Sequence, residues 1–296
     1  MLASTCAGSA AVLIYEDYDY GIADGTTMNG VATAATGFTG NYATAGTSGT
    51  SVYQTTGLTF GANYLPVSGG AVRLSSPTGT TSSLLGATMS VGGAQTGTLW
   101  SSYLVNFTSK SNAGNATAQA RVSDIQVGAT GTANNRMNAL GDGFGPLGTA
   151  VTYSGSGVTT AGATTLTVGN TYLILSQFTN VGTAGGGTAT LWVFDVAGYD
   201  NWLSLGGGLE ANLGTYDLTS QSHTSTTQAD FGDGDFFHFA ASNASGATAV
   251  QTVVYDELRW GTSLGNVVAV PEPSAVASVI GGLGMLALLR RRPLAS

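Results

Sequence analysis

Basic residues are scarce in this chain of 296 residues: eight Lys and Arg stand against sixteen Asp and Glu, a net charge of −8 at pH 7. Three of those eight are the consecutive Arg290, Arg291 and Arg292, so the remainder is more acidic still. Such a surface repels phosphate backbones and anionic lipid, which excludes nucleic acid as a partner. Cysteine is limited to Cys6, so no disulfide framework exists and the fold must rest on packing. Histidine is limited to His223 and His238, in different segments and with no cysteine nearby, too few ligands for a zinc site. His238 sits in the alternating run Phe236-Phe237-His238-Phe239 and reads as an ordinary strand residue. A 3.6-residue apolar period sustained over three turns is also missing before the closing segment, so no substantial helix is expected there.

Glycine is what the chain has in excess. Its 45 glycines are about 15% of the residues, twice the usual share of about 7%. Apolar residues make up 43%, too many for a disordered chain. Between glycine-rich turns such as 185–187 and 206–208 the apolar residues recur with a period of two. Tyr103, Val105 and Phe107 share a face, as do Tyr172, Ile174 and Phe178. In 188–196, Trp192 and Phe194 fall on one side and Leu191 and Val193 on the other, which predicts a strand buried on both faces. Residues 236–239 and 250–260 add two further strands. Trp100, Trp192 and Trp260 fall inside strand patterns and read as core. Strands and turns without internal repeats predict one large antiparallel sandwich.

The chain closes on Pro271-Glu272-Pro273, Ser274, an uncharged apolar run from Ala275 to Leu289, the three arginines and four final residues. The prolines end any preceding strand, the apolar run can enter a bilayer as a helix, and the arginines stay on the cytoplasmic side. Fifteen residues at about 1.5 Å each span roughly 22 Å, short of a hydrocarbon core of about 30 Å. Gly281, Gly282 and Gly284 weaken the helix further. A marginal anchor suits a segment held briefly. This three-part tail resembles the PEP-CTERM sorting signal of Gram-negative envelope proteins. The resemblance implies an exosortase as partner, a transient stay in the inner membrane, cleavage, and delivery to the cell surface or extracellular matrix. Pro271, Glu272, Pro273, Arg290, Arg291 and Arg292 would form the sorting motif; an ordinary single-pass anchor is the alternative.

An exported chain should open on a basic region, an apolar stretch and a small-residue cleavage site. Residues 1–10 keep only the last of these, with Gly8 and Ala10 suitably placed, and no Lys or Arg precedes Arg73. They are therefore expected to be the remnant of a signal peptide with residues missing upstream. Cys6 is assigned to that leader, because Ala3 stands where a lipoprotein site needs a large aliphatic residue. The expected division is a leader remnant at 1–10, an ectodomain at 11–268 and the sorting signal at 269–296.

Four segments carry a second resemblance: 12–20, with Val12-Leu13-Ile14-Tyr15-Glu16; 171–178; 190–195; and 253–267, in which Asp256-Glu257-Leu258-Arg259 precedes Gly261-Thr262. Their order is similar to the concanavalin A-like jelly roll found in many PEP-CTERM proteins. The resemblance implies an all-β antiparallel sandwich followed by a short C-terminal transmembrane helix. It implies a fold more than a function, because lectins, glucanases and structural modules share it.

Jelly-roll glucanases use two carboxylates on one strand face in a Glu-x-Asp-x-x-Glu motif. The four glutamates, Glu16, Glu210, Glu257 and Glu272, are nowhere spaced that way. Asp256 and Glu257 are adjacent, so in a regular strand they should point to opposite faces; Glu257 and Arg259 share a face and read as a cross-strand ion pair. Asp230, Asp233 and Asp235 offer hard oxygen ligands for calcium in a glycine-rich loop, with Asp142 in a similar turn; plain turn residues are the alternative, and no other cofactor is indicated. Trp202, with Tyr199 and Asn201, is the candidate platform for stacking on a sugar ring, against simple packing. Three readings follow: a non-enzymatic surface or matrix protein, a lectin-like binder of exopolysaccharide, and a hydrolase, which the missing carboxylate motif disfavours.

Overall fold

The computed structural model describes residues 11–45, 48–78, 82–109, 119–126, 137–138, 150–153, 160–161, 166–225, 231–234, 236–242 and 249–268. The leader remnant, the sorting motif and the apolar closing run lie outside them. Among the described residues no helix is long and apolar enough to cross a membrane.

The strands in chain order are β1 (Val12–Glu16), β2 (Phe38–Ala45), β3 (Thr50–Gln54), β4 (Ala71–Ser76), β5 (Ser82–Met89), β6 (Gly97–Ser109), β7 (Gln119–Gln126) and the short β8 (Met137–Asn138), β9 (Ala150–Tyr153) and β10 (Thr160–Ala161). They continue with β11 (Thr171–Val181), β12 (Gly187–Phe194), β13 (Thr219–Ser225), β14 (Phe236–Ser242) and β15 (Gln251–Gly261). An eight-stranded sheet runs β13-β12-β11-β6-β15-β4-β3, with β1 also paired to β15. A four-stranded sheet runs β2-β5-β14-β7, and β10-β9-β8 form a small third sheet. Every pairing is antiparallel. The described chain is thus an all-β antiparallel sandwich.

Period-two alternation sets the faces. In β6, Leu99, Tyr103, Val105 and Phe107 enter the core shared with the four-stranded sheet, while Trp100 and Leu104 enter a second cluster on the opposite face. In β11 the same division holds for Tyr172, Ile174 and Phe178 against Leu173 and Leu175. Leu191 and Val193 of β12 join the first cluster and Trp192 and Phe194 the second, so this strand is buried on both faces as expected. Trp192 stacks on Trp100 with ring centroids 6.0 Å apart. The eight-stranded sheet therefore carries a core on each side.

The outer core needs a cover, and two short helices supply part of it: α1 (Val196–Ser204) and α2 (Leu213–Tyr216). Neither was expected from the sequence, which extended the β12 strand through Val196. The strand instead ends at Phe194, and Asp195 caps α1 by accepting the Gly198 N–H at 2.8 Å. Gly207 and Gly208, at φ +66° and +65°, take the left-handed turn that follows the helix. Segment 57–68 supplies the rest of the cover through Phe60 and Tyr64, packed edge-on against Tyr199.

Candidate functional site

An open cleft of about 590 Å³ lies at one end of the eight-stranded sheet, where β6 and β12 finish and β11 and β13 begin. Thr59, Thr167, Asn170, Thr171 and Asp195 line it with hydroxyls, an amide and a carboxylate. Val196 and Leu218, 38% and 40% exposed, give it apolar surface. Its walls are held from beneath. Thr167 N–H donates to the Tyr172 hydroxyl at 2.9 Å, Gly169 N–H to the Phe107 carbonyl at 2.9 Å, and Asn106 Nδ2 to the Gly169 carbonyl at 3.0 Å. Leu218 N–H donates to the Val193 carbonyl at 2.8 Å. The cleft is thus assembled from side chains that the chain keeps far apart and that the sheet brings together.

Trp202 and Tyr199, the expected sugar platform, are both fully buried in the outer core. Trp202 packs against Phe194 and Tyr199, and its Nε1 donates to the Leu209 carbonyl at 2.9 Å. Their rings have no open face on which a sugar could stack. They lie three apart on α1 and point inward; Asn201 between them is exposed and its carbonyl accepts the Leu205 and Gly206 N–H groups.

Of the calcium candidates, Asp230 and Asp235, like Asp142, lie outside the described residues. Asp233 accepts the N–H groups of Val91 and Gly92 at Oδ1, the latter at 2.9 Å, and that of Gly93 at Oδ2 at 2.8 Å. Its carboxylate ties the 91–93 turn to the loop before β14. Among the described residues no three His, Cys, Asp or Glu converge as metal ligands.

The sequence reading placed Asp256 and Glu257 on opposite faces; the structure places both away from the sandwich core. Asp256 opposes Leu104 of β6 and Arg259 opposes Ser102, so three steps on β15 match two on β6. Glu257, at φ +52°, is the extra residue of a β-bulge. The inward set accordingly shifts from Val253 and Tyr255 to Leu258 and Trp260. Both carboxylates are buried and pin the ends of segment 57–68. Asp256 Oδ2 accepts the Leu58 N–H at 2.7 Å, and Glu257 Oε1 accepts the Ser68 N–H at 3.0 Å. Glu257 Oε2 also pairs with Arg259 Nη2 at 2.6 Å, and that guanidinium lies 4.1 Å over the Tyr15 ring. The ion pair expected across strands instead lies within one strand, between two residues of β15. Gly57 is required here, because a Cβ would sit 2.8 Å from Asp256 Oδ2.

Burial raises the Asp256 carboxyl to about 8, opposed by the Leu58 amide and reinforced by the Glu257 charge. Burial also raises Glu257, against the Ser68 amide and Arg259. Glu16 is raised by burial too, against the hydroxyls of Tyr20 and Tyr42 that donate to its Oε2 and the Tyr18 N–H that donates to Oε1 at 2.7 Å. Perturbed carboxyls often mark active sites. These three are sealed from solvent and saturated by the chain itself, so they hold the fold together and do not face the cleft. His223, in β13, is lowered by burial. The backbone of His238 is paired within β14, as the alternation indicated.

A scan against protein-family models finds no match, and a search of curated proteins finds none. Solved structures similar to this chain include an endo-1,3-β-glucanase from Streptomyces sioyaensis, at 12% identity and TM-score 0.45 over 86% of this chain and 96% of that one. They also include a Lotus tetragonolobus seed lectin, at 9% identity and TM-score 0.42 over 89% and 100% of the two chains. Peanut lectin is similar at 11% identity and TM-score 0.40, over 73% and 98%. At such scores no residue and no activity transfers from them, and the fold class rests on the strand pairing described above.

Proposed function

We propose that this protein is an exported, non-catalytic jelly roll of the concanavalin A-like kind that binds polysaccharide in the cleft at the end of its large sheet. The composition of the cleft carries the reading. A sugar ring presents hydroxyls at its edge and C–H groups on its faces. Thr59, Asn170, Thr171 and Asp195 suit the first, and exposed Val196 and Leu218 suit the second. Glycoside hydrolysis needs two carboxyls flanking one bond. Among the described residues Asp195 is the one carboxylate lining the cleft, while Asp256 and Glu257 are sealed beneath segment 57–68. That contrast favours binding over cleavage. A glycan array probed with the purified protein should show binding, and the bound polysaccharides should release no new reducing ends. An array without signal would leave a purely structural surface protein; released reducing ends would restore the hydrolase reading.

Delivery belongs to the tail. The Pro271-Glu272-Pro273 start, the short apolar run and the three arginines support sorting by an exosortase from the inner membrane to the surface or matrix. In cells that contain the enzyme, the mature protein should lose everything after about residue 273. Replacing the three-residue motif by alanines should leave an uncleaved, membrane-held form. Mass spectrometry of intact surface protein decides the point, and peptides from Val279 to Arg290 in the mature form would refute it.

A further inference from the structure

We infer that the cleft selects amine-bearing glycans over acylated, neutral or acidic ones; the inference rests on the glycan-binding reading given above. Among the described residues no Lys, Arg or His lines the cleft. Asp195 spends Oδ1 on the Gly198 N–H and leaves Oδ2 without a partner among the described residues. Beside it, Asp217 precedes Leu218 of the cleft wall, and its Oδ2 is buried without a hydrogen-bond partner. One carboxylate oxygen is thus open to a ligand, and a second, on a carboxyl that the Ser220 side chain also approaches, is unpaired.

Among the described residues two sources of positive charge could oppose this field. The first is the N-terminus of α1, which amounts to about half an elementary charge and is outweighed by the full charge of its own cap, Asp195. The second is arginine. Arg259 is held by Glu257, and Arg73 is on β4, separated by β15 from β6, the nearest strand that borders the cleft. The chain-wide charge of −8 acts in the same direction and disfavours uronate or sulfated chains. A protonated amino group on a sugar would donate to Asp195 Oδ2 while the hydroxyls of the ring meet Thr59, Asn170 and Thr171. The charge-assisted bond is available to the free amine and not to its acetylated form.

The test titrates the full protein with a glucosamine hexamer, its N-acetylated counterpart, an oligouronate of equal length and spermine, at low salt and mildly acidic pH. The amine hexamer should bind about fivefold tighter than the acetylated one, the worth of one half-exposed ion pair, and the oligouronate weakest. Asp195→Asn should bring the ratio of the two hexamers to about one. Asparagine caps a helix as well as aspartate does, so an unchanged melting temperature confirms that α1 persists. Equal binding of the two hexamers by the parent protein, or a preference that survives Asp195→Asn, overturns the inference and leaves the glycan-binding reading intact. Spermine competing as well as the amine hexamer also overturns it, because the cleft would then read charge alone. Failure of every saccharide to bind removes both.

Discussion

Trp260→Ala should cost about 3–5 kcal/mol of stability, a large part of the roughly 5–15 kcal/mol typical of a whole domain. Trp260 is completely buried between the two sheets. Its ring stacks on Phe178 at 5.1 Å and on Phe231 at 4.8 Å and meets the edge of Phe237 at 6.2 Å. It joins the eight-stranded sheet to the four-stranded one and to the loop before β14. Its Nε1 has no hydrogen-bond partner among the described residues, so Trp260→Phe loses volume alone and should cost clearly less. Urea denaturation of the two variants checks the order. A loss for Trp260→Ala no larger than for Leu205→Ala, at a 72% exposed position, would show that Trp260 is not a core residue.

Stability should also fall as pH rises from about 4 to about 8. Asp256 has a folded value near 8 against an ordinary 3.8, so between those limits the folded protein holds a proton that the unfolded chain releases. The unfolded state then binds fewer protons, and the slope of stability against pH is negative, up to about 1.4 kcal/mol per pH unit for one group. The raised carboxyls of Glu16, Asp217 and Glu257 act with the same sign. The contribution is fully present at acid pH and lost above pH 8. Denaturation midpoints at pH 5, 7 and 9 should decline in the parent protein and decline less in Asp256→Asn. A parent midpoint that is flat or rises over that range would contradict the burial of an acid at the bulge.

The strands were legible where both periods of two were apolar. The doubly apolar run around Trp192 announces a strand with a core on each side, and the structure places one there. Helix α1 was hidden because nine residues make too few turns for a 3.6-residue period, and its buried side chains are only Tyr199 and Trp202. Without the helix to turn it inward, Trp202 reads as a candidate sugar platform, whereas the helix makes it a core residue. The bulge did leave a trace: apolar positions move from odd numbers at Val253 and Tyr255 to even ones at Leu258 and Trp260, which requires one extra residue between them. That shift would have placed Asp256 and Glu257 on one side. The cleft left none, since Thr59, Asn170, Asp195 and Leu218 meet only through sheet pairing.

The most direct measurement is a calorimetric titration of the parent protein and of Leu218→Arg with the oligosaccharide that binds best on the array. Leu218 is exposed on the cleft wall and outside both cores, so arginine there should obstruct the cleft without disturbing the fold. The expected result is binding of one saccharide per protein, weakened at least tenfold in the variant (about 1.4 kcal/mol), with both proteins melting at the same temperature. Equal affinity in the two proteins would place the sugar elsewhere and contradict the account.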